Sequence, residues 1–306
     1  MLTIENVSKT YPNGVQALKG LSLEIPSGMY GLLGPNGAGK STLMRTLATL
    51  QEVDSGAITL DGIDVLGEKA SIRKLLGYLP QGFGLYPRIR AQTLLRHLAV
   101  LKGYSDSGER ERAVEVLLKK TNLWQVRKRK LGTFSGGMRQ RFGIAQALLG
   151  NPRLIVVDEP TAGLDPDERR RFLNLLSEIG ENAVVILSTH IVADVQELCK
   201  ELAIINDGRV LASGRSDDLI ARLEGKVWKR IVDKSEADLV GPSETVLSTH
   251  LVSGRSVVRL YSDISLADDS ARASPNLEDV YFAALRGVAY TESSRAPTSL
   301  EEGHCS

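Results

Sequence analysis

The residues with the clearest chemical spacing are Gly34-Pro35-Asn36-Gly37-Ala38-Gly39-Lys40-Ser41-Thr42, which contain a complete G-x-x-x-x-G-K-[ST] pattern. A glycine-rich turn lets successive backbone N–H groups converge on phosphate oxygens. A helix that follows it adds unpaired N–H groups and a positive dipole end. In such a loop Lys40 reaches the β- and γ-phosphates and Ser41 offers its hydroxyl to Mg²⁺, so the spacing predicts a nucleoside triphosphate site. A second group, Asp158-Glu159-Pro160, ends the apolar run Leu154-Ile155-Val156-Val157. Two carboxylates at the mouth of a buried strand suit metal chemistry, with Asp158 holding Mg²⁺ and Glu159 polarising a water; the bland alternative is a turn in which Asp158 caps nearby N–H groups. A third, Thr133-Phe134-Ser135-Gly136-Gly137-Met138-Arg139-Gln140, opens a helix on Ser135 and two glycines, which is either a second anion-ready helix start or only a cap and turn.

These residues need a scaffold that brings strand ends together. From Leu2 to about Leu223, short β-branched apolar segments alternate with longer amphipathic ones, the pattern of an α/β domain with a parallel core sheet. Met29–Leu33 reads as the strand that feeds the phosphate loop. Leu18–Ile25 alternates like a half-exposed antiparallel strand, and Ala57–Leu60 enters a tight turn at Asp61-Gly62, so an antiparallel β portion flanks the core. A helical insertion spans about 91–150: Leu94, Leu95, Leu98 and Leu101, then Val114, Val116 and Leu117, recur near helical spacing around a break at Gly103–Gly108. After Gly225 the texture changes. Strands are predicted over 226–232, 244–252 and 256–261, with a turn at Val252–Arg255 and a helix over Leu277–Leu285, giving a small α+β appendage at 226–286. The stretch 287–306 is rich in small and polar residues and reads as a disordered tail.

Bulk properties exclude several classes. The 306 residues carry a formal net charge of +1, so no global field draws the chain to nucleic acid or an anionic membrane; the run Arg127-Lys128-Arg129-Lys130 reads as a solvated face, the alternative being a local patch that does so. Cys199 and Cys305 have no partner at metal-ligand or redox spacing, which suits a reducing compartment. The first residues lack a basic and apolar leader, and no run approaches about 18 apolar residues, so an action at a membrane would use another chain as anchor.

With these motifs in order, residues 1–220 resemble the ATP-binding cassette (ABC) family, whose signature Leu-Ser-Gly-Gly-Gln stands here as Phe134-Ser135-Gly136-Gly137-Met138. The other motifs follow in family order: Tyr11, the loop at 34–42, Gln81, Asp158-Glu159, Ala162-Gly163-Leu164-Asp165, and His190. The resemblance implies a P-loop NTPase fold of the ABC type over 1–223, with ATP and Mg²⁺ as cofactors. It implies that Glu159 is the general base, that Gln81 reaches Mg²⁺ and the attacking water, and that His190 contacts the γ-phosphate. It also implies that Tyr11 stacks on adenine, although an aromatic before Pro12 packs as readily on a sheet edge. Ser135, Gly136, Gly137 and Asp165 would act across a head-to-tail dimer of two cassettes, expected to be a homodimer. Phe134 and Met138 depart from the signature, whereas the phosphate-facing Ser135, Gly136 and Gly137 are intact.

Within that family a single cassette without coiled-coil or zinc insertions is similar to transporter ATPases; the alternatives are a nucleic-acid- or ribosome-associated ATPase and a regulatory cassette without transport. The segment Asn276-Leu277-Glu278-Asp279-Val280-Tyr281 resembles bacterial export ATPases for drugs, lipids or polysaccharides. The implied partner is a transmembrane permease subunit, with no nucleic acid expected, and the implied location is the cytoplasmic face of the membrane. Gly82–Arg90, with Phe83, Leu85, Tyr86 and Pro87, is the expected contact for a permease helix, or else a loop covering the core.

Overall fold

The structure, a computed structural model, describes residues 1–290 apart from 83, 85, 162–163, 181–182, 234–243 and 267–269. The chain divides into two compact units, Met1–Ser216 and Asp217–Ser306.

In the first unit, β1 (Leu2–Thr10) and β2 (Gln16–Ile25) pair antiparallel, and β3 (Gly28–Leu33) leads through the phosphate loop into α1 (Lys40–Leu47). Next come β4 (Ser55–Leu60), β5 (Ile63–Asp64), α2 (Lys69–Leu75) and β6 (Leu76–Leu79). Three helices, α3 (Ala91–Leu101), α4 (Ser107–Lys120) and α5 (Gly136–Ala147), precede β7 (Leu154–Asp158). The unit closes with α6 (Pro166–Ile179), β8 (Val184–Thr189), α7 (Val192–Leu198), β9 (Glu201–Asn206) and β10 (Arg209–Arg215). The strands form an antiparallel sheet in the order β2-β1-β4-β5 and a six-stranded sheet in the order β10-β9-β3-β8-β7-β6, parallel except for β10.

Hydrophobic patterning accounts for both sheets. Every residue of β7 and β8 is buried, as expected of parallel strands covered on both faces. In contrast, β2 alternates toward its end, burying Leu21, Leu23 and Ile25. One core cluster joins the inward side chains of both sheets to Leu43, Met44 and Leu47 of α1, so the helix behind the phosphate loop is clamped by residues each worth roughly 1.5–3 kcal/mol on burial.

The three inserted helices enclose a separate cluster around Phe142, whose ring meets Phe134 edge-on at a centroid distance of 6.3 Å. Here the sequence periodicity misleads at two positions. Leu101 is 82% exposed because α3 ends on it, and Val116 is 61% exposed because the buried pair on α4 is Val114 and Leu118, four apart.

In the second unit, after α8 (Ser216–Ala221), β11 (Val227–Val232), β12 (Thr245–Val252), β13 (Arg255–Tyr261) and β14 (Ser270–Arg272) form an antiparallel sheet in the order β12-β13-β11-β14. The short strand β14 has too few residues to leave a period-two signal, and the sequence reading lacks it. Helix α9 (Leu277–Leu285) begins with a capping box between Asn276 and Asp279. Arg259 grips Asp279 through two bonds of 2.6 Å, tying the helix start to β13. Chain order persists past the expected tail boundary at 287: Tyr290 is buried and its hydroxyl donates to the Leu219 carbonyl at 2.6 Å. Residues 291–306 lie outside the described residues.

Candidate functional site

Strand register assembles the site. Leu33 at the end of β3 stands opposite Thr189 of β8, and Ser188 of β8 stands opposite Asp158 of β7. The phosphate loop, the Asp158-Glu159 pair and His190 therefore emerge together at the carboxyl edge of the parallel sheet, where open α/β sheets place their ligand crevices.

Gly39, the residue before α1, has φ of 104°, and a Cβ there would stand 2.5 Å from the Ala17 carbonyl oxygen. Only glycine meets both demands. Lys40 turns back over the loop, donating to the carbonyls of Gly34 at 2.7 Å and Pro35 at 3.1 Å. Burial lowers its ammonium pKa, and the Glu159 and Asp158 carboxylates oppose that shift. Lys40 Nζ lies 3.7 Å from Glu159 Oε1.

Glu159 adopts φ of 47°, the left-handed region, with its N–H bonded to the Ser188 carbonyl at 2.9 Å. That conformation turns a buried carboxylate toward the loop while its neighbour Asp158 remains on the strand. Glu159 Oε2 is 2.8 Å from His190 Nδ1. An ionised carboxylate only accepts, so Nδ1 is the donor in this pair, and the imidazole is half-exposed. Beside them Asp158 Oδ1 and Ser188 Oγ are buried without hydrogen-bond partners. Burial pushes the Asp158 carboxyl above its ordinary range, and the nearby Ser41 hydroxyl pulls it back. An orphaned carboxylate oxygen beside the Ser41 hydroxyl is a donor set that fits a hard divalent cation. Among the described residues no cluster of three His, Cys, Asp or Glu side chains could hold a metal by itself.

A cavity of about 310 Å³ opens over the loop, lined by Asn36 to Thr42 together with Tyr11, Gln81, Glu159 and Gly208. The structure thus brings Tyr11, Gln81, Lys40, Ser41 and Glu159 to one cavity, with Gly34 and Pro35 beneath Lys40 and His190 reaching it through Glu159. The Tyr11 hydroxyl is held by Gln51 Oε1 at 2.9 Å and Thr42 Oγ1 at 3.1 Å, which fixes its ring at the cavity wall.

Ser135, Gly136, Gly137 and Asp165 do not line this cavity. Ser135 caps α5, accepting from the Met138 N–H at 3.2 Å, and Asp165 caps α6, accepting from the Glu168 N–H at 2.8 Å. Phe134 is buried against Phe142 and Met138 packs on the same helical cluster, so both departures from the signature serve the apolar core. A Cβ on Gly137 would collide with the Glu168 carboxylate, which pairs with Arg141 at 3.5 Å. Ala162, Gly163, Phe83 and Leu85 lie outside the described residues, whereas Tyr86 in the expected contact loop is 65% exposed.

Sequence reasoning missed one functional neighbour. Asp194 of α7 is fully buried, accepting from Thr161 Oγ1 at 2.6 Å and Arg169 Nε at 2.8 Å. It joins the segment after Glu159-Pro160 to α6 and to the helix after His190. Its only sequence signal is a carboxylate set between Ala193 and Val195.

A family model described as ABC transporter matches residues 18–162. The linearmycin resistance ATP-binding protein LnrL of Bacillus subtilis (strain 168) is 38% identical over 227 residues, covering 74% of this chain and 72% of that protein. The daunorubicin/doxorubicin resistance ATP-binding protein DrrA of Streptomyces peucetius is 36% identical over 244 residues, covering 78% and 74%. Among solved structures, the dimeric post-hydrolysis state of the ATP-binding cassette MJ0796 bound to ADP and Pi superposes with a TM-score of 0.64 at 29% identity, covering 70% of this chain and 98% of that one.

Proposed function

This chain belongs to the ABC transporter family, and on that premise we propose that it binds and hydrolyses ATP as the separate ATPase subunit of an export-type transporter. Members of the family work as paired cassettes with transmembrane partners and are membrane-associated. Among the described residues no helix is long and apolar enough to cross a membrane, so the reading assigns the crossing to a permease subunit and places this chain on its cytoplasmic face. The resistance relatives support drug-like cargo moving outward, selected by the permease.

In this reading the backbone N–H groups of the 34–42 loop, Pro35 having none, and the Lys40 ammonium hold the triphosphate, and Tyr11 stands where an adenine would stack. Ser41, Asp158 and Gln81 would hold Mg²⁺, which would supply charge neutralisation for the phosphates. Glu159 takes a proton from the attacking water; its carboxylate is already oriented by Lys40 and by His190, whose free edge then meets the γ-phosphate. Ser135, Gly136 and Gly137 of a second copy close the open side of the nucleotide, with Asp165 at the same junction. ATP then acts as the bridge between two identical cassettes, and hydrolysis releases them.

The observation that carries this reading is the Glu159 carboxylate held between Lys40 and His190 at the edge of the nucleotide cavity. The test is purification of the chain from gently solubilised native membranes through a high-salt wash. A co-purifying multi-helix membrane protein that raises ATP turnover is the expected result. Ribosomes or nucleic acid without a membrane partner would overturn the transporter assignment.

A further inference from the structure

The basic run Arg127–Lys130 is not a loose solvated face. The Ala91 and Gln92 N–H groups at the start of α3 donate to the Arg129 and Arg127 carbonyls at 3.2 and 3.0 Å. The Leu131 N–H donates to Ile89 at 2.9 Å, and Arg90 bridges Lys130. The run therefore satisfies the orphan donors of a helix start and is pinned beside Arg90.

Four cations, Arg90, Arg96, Arg127 and Lys128, line a cavity of about 380 Å³, with Gln92 and Thr93 as neutral hydrogen-bonding side chains and no carboxylate in the lining. Trp124 forms one wall, its ring 3.8 Å from the Arg127 guanidinium carbon. Arg96 gives Nη2 to Glu111 at 2.6 Å, yet its Nε is buried without a hydrogen-bond partner. Like charges gathered around one volume repel unless an anion enters it. None of these residues belongs to the nucleotide cavity.

The surrounding charge says what kind of anion. Residues 86–130 hold twelve Lys and Arg against four Asp and Glu, in a chain whose net charge is +1. A field this broad, with an aromatic wall at its centre, matches an extended anionic surface better than one dissolved ion. The cavity has room for about a dozen waters, enough for a phosphodiester headgroup.

We propose that this cavity binds the phosphate of an anionic phospholipid headgroup and seats the helical part of the first unit on an anionic membrane surface. The inference stands on this cavity and shares with the transporter reading only the membrane as setting.

The test is co-sedimentation of the full chain with phosphatidylcholine vesicles, with and without phosphatidylglycerol. The chain binds the phosphatidylglycerol vesicles only. Arg127→Gln and Lys128→Gln together weaken binding about 25-fold, at about fivefold per cation, with ATP turnover unchanged. An equal charge change outside the cavity, Arg112→Gln and Lys120→Gln, weakens it less than about fivefold. The single variant Thr93→Glu, which puts a carboxylate into the cavity, abolishes binding without removing any cation. Equal losses in the two double variants, or undiminished binding by Thr93→Glu, overturn the proposal in favour of diffuse attraction. Full displacement by low millimolar inorganic phosphate overturns it in favour of a free-anion site. Failure of any arm with turnover intact leaves the ATPase reading untouched.

Discussion

Asp194 is the residue whose replacement tests the packing logic behind the site. Asp194→Asn keeps the shape and removes one charge from a fully buried carboxylate that faces Arg169 Nε at 2.8 Å and Nη2 at 2.6 Å. Taking the charge centres as about 4 Å apart and an effective dielectric of about 20, the lost attraction is about 4 kcal/mol. Arg169 is one-third exposed, so water returns part of that, and asparagine still accepts one bond. The net loss is about 2–3 kcal/mol, near the lower end for breaking a buried pair. For a unit of this size that lowers Tm by roughly 4–12 °C in calorimetry of the nucleotide-free chain. Because Thr161 and the helix after His190 share the same carboxylate, ATP turnover falls as well. Arg169→Met supplies the partner substitution, and the double variant is less destabilised than the sum of the two by more than about 1 kcal/mol. A Tm within about 2 °C of the parent, or strict additivity, refutes the reasoning.

Three further outcomes follow from the same geometry. Gly137→Ala forces its Cβ into the Glu168 carboxylate and lowers Tm by a few degrees, whereas adding Glu168→Ala removes the obstructing atoms and recovers most of it; a double variant no better than the single contradicts the clash. Burial raises the Asp158 pKa, so its protonated form stabilises the fold below the unfolded pKa and that contribution is lost as pH rises through the folded one. Asp158→Asn therefore raises the nucleotide-free Tm at pH 7, with the gain fading toward acidic pH, and thermal scans across pH check the trend; a lower Tm at neutral pH opposes it. Lys40→Ala removes the cation donated over the loop and weakens ATP binding by at least about tenfold in calorimetric titration, so unchanged affinity would reassign the phosphate contact.

Much of this was legible because it is local. The pattern Gly34–Thr42 has its meaning within nine consecutive residues, and the buried run ending at Asp158 has its meaning within five. Hairpin signals such as Leu60-Asp61-Gly62 and the helix start at Asn276 are equally short-range, and the elements stand where those residues place them. What the sequence leaves open depends on pairings between distant segments. The register of Asp158 with Ser188 is one, and the left-handed turn at Glu159, set by its bond to the Ser188 carbonyl, is another. Asp194 sits in an ordinary helical heptad, and only its distant partners Thr161 and Arg169 give it a role. The basic run at 127–130 reads as solvated because composition cannot reveal backbone bonds to residues 89–92. Tyr290 shows the converse: one buried aromatic holds residues 287–290, the start of a stretch whose composition suggests disorder.

The central claim is that Glu159, held between Lys40 and His190, is the base for ATP hydrolysis. Steady-state phosphate release and ATP binding, measured side by side for the parent and Glu159→Gln with Mg²⁺ present, test it most directly. The account predicts turnover down by about 10²–10⁴-fold with ATP binding retained and a dimer that persists in ATP. An undiminished hydrolysis rate in that variant contradicts it.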